Sequence, residues 1–414
     1  MRPLTRFMLC MTFIAVVSDY LLHPFYPQFF AERFGVTHPT AVGNYFAALC
    51  AVVMVAFPFW AWVSKRVAEL HLLIGTQAIA GLLALFCYKT ESYHAFWTAA
   101  LVMVFFKGSY LLIYPYTLKL EPVERHERLI GTLAALVPLG GILGAVLGGA
   151  MLTYVTPASA FLIMAGGDGL MMLLSFYLLR STQYDTRRLT DPTPASDRAA
   201  TPWSFILRLG LITGLVYFSD FLTRPFFARY WENISVYDSE MVSGAVYAIP
   251  AVLALLALVY NARYPSKQST AKALLAALLL AGAGMALQSI PLPGTAILGR
   301  AFYGWALFQG SVRLDLLLVE GSSLENYSTD YSKIHFFENL GVLLASFATG
   351  WLVDTWGISI PFPAALVGLL VSLGLLVLLF MVRKGQSGSD RFSSLQKAGP
   401  TTASASNSPT IETT

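Results

Sequence analysis

The sequence predicts an all-α polytopic membrane protein, with twelve transmembrane helices arranged as two parallel-repeat six-helix halves. Three observations predict it. Of the 414 residues, 56 % are hydrophobic and 12 % are charged, whereas a soluble domain carries about 25 % charged residues. Apolar runs recur at the length needed to cross a bilayer, about 20 residues. A motif of the first half returns 201 residues later in the second.

The composition also excludes several classes. Mean hydropathy is +0.62, and no soluble fold can hide so much apolar surface from water. The three cysteines, Cys10, Cys50 and Cys87, are an odd number and sit in apolar runs. They are expected as packed thiols, not as a disulfide framework or a metal site.

The twelve spans are expected near residues 5–31, 41–63, 70–88, 93–118, 129–154, 158–180, 204–230, 241–261, 271–290, 295–319, 333–354 and 361–382. The first is too long for a cleaved signal peptide, and no small-residue cleavage site follows it. Orientation follows from Lys and Arg. With the N-terminus inside, 20 of the 27 basic residues fall in inner loops, tails or at their edges, three (Arg33, Lys89, Arg229) lie outside and four lie within spans. That bias places both termini in the cytoplasm. The clusters Lys65-Arg66, Arg187-Arg188 and Arg383-Lys384 are then topology signals, not a nucleic-acid site. Residues 181–203 are polar with three prolines, and residues 384–414 hold almost no large apolar side chains. Such segments cannot bury enough surface to fold. The expected organisation is an N-terminal half over 1–180, a cytoplasmic linker over 181–203, a C-terminal half over 204–382 and a disordered cytoplasmic tail over 383–414.

The repeat is the most specific signal. VSDYLLHPFYPQFF at 17–30 matches FSDFLTRPFFARYW at 218–231, sharing Ser-Asp, an aromatic, Leu, Pro and Phe at an offset of 201. FFKGS at 105–109 matches LFQGS at 307–311 at an offset of 202, and Val42 pairs with Val242 at the starts of spans 2 and 8. Collinear matches at nearly one offset imply two halves in the same orientation, related by an axis along the membrane normal. Six plus six parallel-repeat helices with inside termini and a polar central linker resemble the major facilitator superfamily over roughly residues 5–382. Asp19, Pro24 and Pro27 of span 1 look like the mid-helix acid and spaced prolines of that family's proton antiporters. PLGGILGAVLGG at 138–149 looks like their Gly/Pro-rich span 5, without the usual Gly before the Pro. The loop after span 2, FWAWVSKRVAELH, lacks the Gly and Asp of the family's loop motif and keeps only Lys65 and Arg66 for its basic part. No drug-efflux subfamily follows from these features.

Ionisable groups inside a span cost roughly 2.5–3.5 kcal/mol each on insertion scales, so they mark partners or a cavity. The resemblance puts spans 1, 4, 7 and 10 around a central cavity. They carry Asp19 and His23, Lys107, Asp220 and Arg224, and Arg313 and Asp315. Asp19–His23 and Asp220–Arg224 are each spaced i, i+4 and share a helix face. A carboxylate in a partly desolvated cavity can titrate near neutral pH, so Asp19 and Asp220 are the candidate proton-coupling acids. Asp19, with only a His at i+4, is the freer of the two. Lys107 either pairs with Asp19 or Asp220 or contacts an anionic solute group. Its repeat mate is Gln309. Lys107, Arg224, His23, Tyr114, Gln309 and Trp305 are the candidate solute-binding residues. Tyr20, Tyr26, Tyr110, Tyr116, Tyr217 and Tyr303 lie on the same helices. Arg313, Asp315, His335 and Glu338 are expected to close the cytoplasmic side as a salt-bridge cluster that breaks on opening. Asp168, on a peripheral span beside GGDGL, is expected to be structural. Gly140, Gly144 and Gly148 give a small-xxx-small stripe, expected as the packing seam between the halves.

The reading is a secondary active transporter for a small polar, charged organic solute, such as a carboxylate metabolite or a siderophore, working as a monomer in the inner (plasma) membrane by proton-coupled export. Uptake by proton symport, multidrug efflux and a non-transporting sensor of the same fold are the alternatives. The six histidines show no metal-site spacing, and no phosphate-binding or nucleophile motif occurs. No enzyme activity, catalytic residue, cofactor, metal or nucleic-acid partner is expected.

Overall fold

The computed structural model describes residues 3–64, 66–112, 126–181, 201–264, 268–322 and 327–382. The described residues form helices and short connections with no strand. Nine of those helical segments are long and apolar enough to cross a membrane. The remaining three expected spans are 1, 4 and 10, and they carry Asp19, Lys107 and the Arg313–Asp315 stretch. Residues 182–200 of the linker and the tail from 383 lie outside the described residues.

Proline placement decides where the spans break. Span 1 is two helices, Pro3–Tyr20 and Tyr26–Phe34. Pro24 lacks an N–H and so interrupts the helical ladder there, whereas Pro27 sits in the first turn of the second helix, where no N–H is needed. Span 7 breaks at the matching place around Pro225, as Trp203–Thr223 and Phe227–Ile234. The second helices begin at residues 26 and 227, again 201 apart. Span 8 is likewise divided, into Glu240–Tyr247 and Ile249–Arg263, with Pro250 opening the second piece. Span 4 runs as Tyr93–Lys107 and then a 3-10 turn, Gly108–Leu112.

Packing repeats as the sequence does. Span 1 packs on spans 5 and 6, span 3 on spans 4 and 6, and span 2 on span 4; each pairing has its counterpart six spans later. The correspondence reaches single atoms. Gly167 of span 6 receives the Ser18 hydroxyl, and Gly368 of span 12 receives that of Ser219. Below the break in span 1, Tyr26, Phe29, Phe30, Tyr45, Phe46 and Phe96 form an aromatic cluster with ring centroids 4.9–6.3 Å apart.

The halves meet along spans 2 and 11 and along spans 5 and 8. Here one expectation is corrected. Gly140, Gly144 and Gly148 do not face the other half; they pack on Val16, Tyr20 and Leu21 of span 1. The seam lies one step round the same helix, where Ala145 meets Gly244 and Gly149 meets Glu240 and Met241. Span 5 carries two stripes of small residues about 100° apart, and periodicity alone does not say which neighbour each one meets. On the other seam a Cβ on Gly43 would stand 2.9 Å from the Gly350 Cα, closer than real Cβ atoms come. Glycine lets the two backbones touch. Gln28 donates to Glu232 at 2.9 Å, Thr40 to Asp354 at 3.4 Å and Thr153 to Glu240 at 3.4 Å. These contacts gather at the end of the bundle that the charge distribution assigns to the outside, and there the halves are closed against each other.

Candidate solute site between the halves

A cavity of about 290 Å³ lies where the halves diverge from the closed end. Span 1 and span 5 give it Tyr20, Pro138 and Gly141; spans 7, 8 and 10 give it Tyr217, Asp220, Arg224, Tyr247, Arg300 and Tyr303. Its charged groups stand next to the Pro225 break because the helix ends there. Arg224 is the last α-conformed residue of the first helix of span 7, so its side chain reaches back one turn and pairs with Asp220. The Tyr303 hydroxyl donates to the other Asp220 oxygen at 3.0 Å. Asp220 is thus held on both oxygens while lining the cavity.

The acid of the other half is held differently. Lys107 of span 4 stands 3.2 Å from Asp19 and 3.4 Å from Asp168 of span 6. Tyr110 donates to the second Asp19 oxygen at 2.9 Å. Asp168 is 2 % exposed, and its Oδ2 has no hydrogen-bond partner. This triad closes on itself inside the N-terminal half, and none of its members lines the cavity. Of the two readings open for Lys107, pairing with Asp19 is the one formed. Asp19, for which the sequence offered only His23 as a neighbour, is bonded by Lys107 and Tyr110. Asp168 is more than a packing group; it shares the lysine.

Asp19 and His23 are not brought together as an i, i+4 pair, because the helix stops at Tyr20. His23 Nδ1 instead lies 3.2 Å from the Tyr247 hydroxyl of the other half, and its ring stacks on Tyr20. Gln309 turns away from the cavity and donates to Asn261 at 2.8 Å. Trp305 packs edge-on against Tyr260, ring centroids 5.3 Å apart, and does not line the cavity either. Tyr114 and Tyr116 lie outside the described residues.

The expected cytoplasmic cluster forms in part. His335 and Glu338 bond at 2.7 Å on one helix of span 11. Arg313 and Asp315 make no ion pair with them or with any described residue.

Arg300 has no role in the sequence pattern, yet the structure puts it on the cavity wall, 3 % exposed. The only signal for it was the general one, a guanidinium inside a span. Asp168 carried a second signal, since its counterpart 201 residues on is Leu369, buried in the other half. A lone buried acid where the repeat has leucine implies a cation nearby.

The sequence pattern described as Major Facilitator Superfamily matches residues 8–316. A search of the curated proteins finds no significant match. Among solved structures, a mutant form of the nucleoside transporter NupG superposes with a TM-score of 0.74 at 12 % identity, covering 91 % of this chain and 100 % of that one. A bacterial homologue of the human lysosomal transporter Spinster, in an inward-facing and occupied conformation, gives 0.71 at 13 % identity, over 90 % and 95 % of the two chains. The human organic anion transporter MFSD10 gives 0.65 at 16 % identity, over 91 % and 100 %. At such identities the superpositions speak for the fold alone. With the superfamily's sequence pattern running from the first span into the tenth, and with two six-helix halves packed in repeat around a charged cavity, this chain belongs to the Major Facilitator Superfamily.

Proposed function

We propose that the protein is a secondary active transporter that moves a small polar, charged organic solute across the inner membrane by alternating access, coupled to protons. One observation carries the reading. The Asp220–Arg224 pair lines a cavity between two halves that are sealed at one end by glycine contacts and side-chain clasps. A buried pair of this kind couples a proton to a solute. While Asp220 is ionised it holds Arg224; a proton on Asp220 removes that hold, and the guanidinium is then available to an anionic solute group. Removing one partner of a buried pair costs roughly 3–5 kcal/mol, so proton and solute do not exchange independently. Asp19 is the second acid of the scheme, held in reserve by Lys107 and Tyr110. With both termini in the cytoplasm, the closed end is the outer one and the cavity lies on the cytoplasmic route. The Arg313, Asp315, His335 and Glu338 group is the part that gains partners when that route closes.

The test compares metabolites inside cells and in the medium for the wild type and for Asp220→Asn at equal expression. Proton-coupled transport predicts one solute whose distribution between cells and medium differs with the wild type only, and loss of that difference when a protonophore collapses the gradient. Accumulation inside the cells means symport, the coupling that joint binding of proton and anion favours, and enrichment in the medium means antiport. Identical profiles overturn the transport reading in favour of a non-transporting sensor.

A further inference from the structure

The cavity holds one more cation than it can neutralise. Its ionisable lining among the described residues is one carboxylate, Asp220, and two guanidiniums, Arg224 and Arg300. Asp220 is committed to Arg224 and to the Tyr303 hydroxyl. Arg300 is left with no carboxylate. Its Nη2 donates to the Tyr247 carbonyl, and its guanidinium carbon lies 4.0 Å over the Phe227 ring and 5.2 Å from the centre of the Tyr247 ring. Its Nε has no hydrogen-bond partner among the described residues. A guanidinium has five N–H donors, and a buried charge of this kind is costly unless an anion meets it. Ring faces soften that cost by about 0.5–2 kcal/mol and leave the charge in place.

A purely structural role accounts for less than the residue supplies. The Tyr247 carbonyl is freed where span 8 breaks between Tyr247 and Ile249, and one N–H from any side chain satisfies it. A neutral amide would do this without the cost of a buried positive charge. The full guanidinium, clamped between two rings at the wall of a solute-sized cavity, is a pre-oriented anion receptor.

We infer that Arg300 is the anion-binding residue of the cavity, and that the solute carries a carboxylate, phosphate or sulfonate group that docks on it. The inference rests on the cavity being the solute site, and it narrows the solute to an organic anion. Arg224 is the exchangeable cation, released by the proton on Asp220, and Arg300 is the constant one. Two guanidiniums then meet the solute in the protonated state and one in the ionised state.

The test does not need the natural solute. In a protein with Cys10, Cys50 and Cys87 replaced by serine or alanine, Ala251→Cys places a thiol on the cavity wall. Its labelling rates are measured with two probes of similar size, the anionic 2-sulfonatoethyl methanethiosulfonate and the cationic 2-(trimethylammonium)ethyl methanethiosulfonate, each normalised to a free thiol. With Arg300 in place the anionic probe is favoured. Arg300→Gln, which keeps a donor for the Tyr247 carbonyl, lowers the anionic-to-cationic ratio about tenfold, as removal of one charge a few ångströms away in a partly desolvated site requires. Arg300→Lys restores most of the ratio. An unchanged ratio in Arg300→Gln overturns the inference. If Arg300→Gln does not fold, the Ala251→Cys protein with Arg300 intact decides alone, and a ratio equal to that of the free thiol overturns the inference. The outcome is independent of transport: a charge-dependent ratio with identical metabolite profiles keeps the anion site and rejects the transporter, and the reverse result does the opposite.

Discussion

Replacing Lys107 by leucine tests whether the N-terminal triad is a single electrostatic unit. The lysine is 7 % exposed, and it is shared by Asp19, 35 % exposed, and Asp168, 3 % exposed by side chain. Without it Asp19 keeps the Tyr110 hydroxyl and is the more exposed of the two acids, so its loss is the smaller. Asp168 has no water to turn to, and one of its oxygens already lacks a partner. Stranding a buried charge costs about 3–5 kcal/mol, and Asp168 carries nearly all of it. The remedy is written in the other half, where the position 201 residues on is Leu369, 1 % exposed. Lys107→Leu alone is therefore expected to lose about 3–5 kcal/mol, and Lys107→Leu with Asp168→Leu to regain most of it. The coupling between the two substitutions should be about 2–3 kcal/mol, the upper part of the range for residues that share a charge network. The assay is reversible unfolding of purified protein in mixed micelles titrated with a denaturing detergent, run as a full double-mutant cycle. Additive effects, with Lys107→Leu equally damaging whether or not Asp168→Leu is present, would refute the idea that Asp168 depends on the lysine.

Gly43→Val puts a branched side chain where even a Cβ stands 2.9 Å from the Gly350 Cα. It is expected to open the outer end, raising thiol labelling of a Thr40→Cys reporter roughly five- to tenfold and slowing turnover; unchanged labelling would show that the seam is not the closing contact. Tyr303→Phe removes one hydrogen bond to Asp220 at 3.0 Å and should cost about 1.5–3 kcal/mol in the same unfolding titration. Asp220→Asn leaves Arg224 without its acid and is expected to abolish transport even where the protein folds. Wild-type transport rates in Asp220→Asn would exclude it as the coupling acid. Arg313 makes no ion pair among the described residues, so Arg313→Ala should leave stability within about 0.5 kcal/mol, read in the unfolding titration. A larger loss would reveal a partner in the closed cytoplasmic end.

The sequence by itself determined the architecture of this protein. Its composition demanded a bilayer, because 12 % charged residues cannot clothe a water-soluble surface. The repeat of Ser-Asp-aromatic-Leu and Pro-Phe at an offset of 201 placed both mid-membrane acids and the two prolines at which the structure then breaks the helices, since proline removes an N–H from its own backbone. The Asp220–Arg224 pair was also legible, being a contact within one helix turn. What the sequence left open were contacts between elements distant in the chain. Only the packing of spans 4 and 6 on span 3, with span 6 on span 1, brings Asp168 to Lys107, across 61 residues. Only the crossing of spans 5 and 8 decides which small stripe of span 5 is the seam and which backs onto span 1. Periodicity fixes a face and not its neighbour. The same limit hid Arg300, whose meaning depends on Phe227, Tyr247 and an acid already taken by another arginine, three facts that exist only once the spans are assembled.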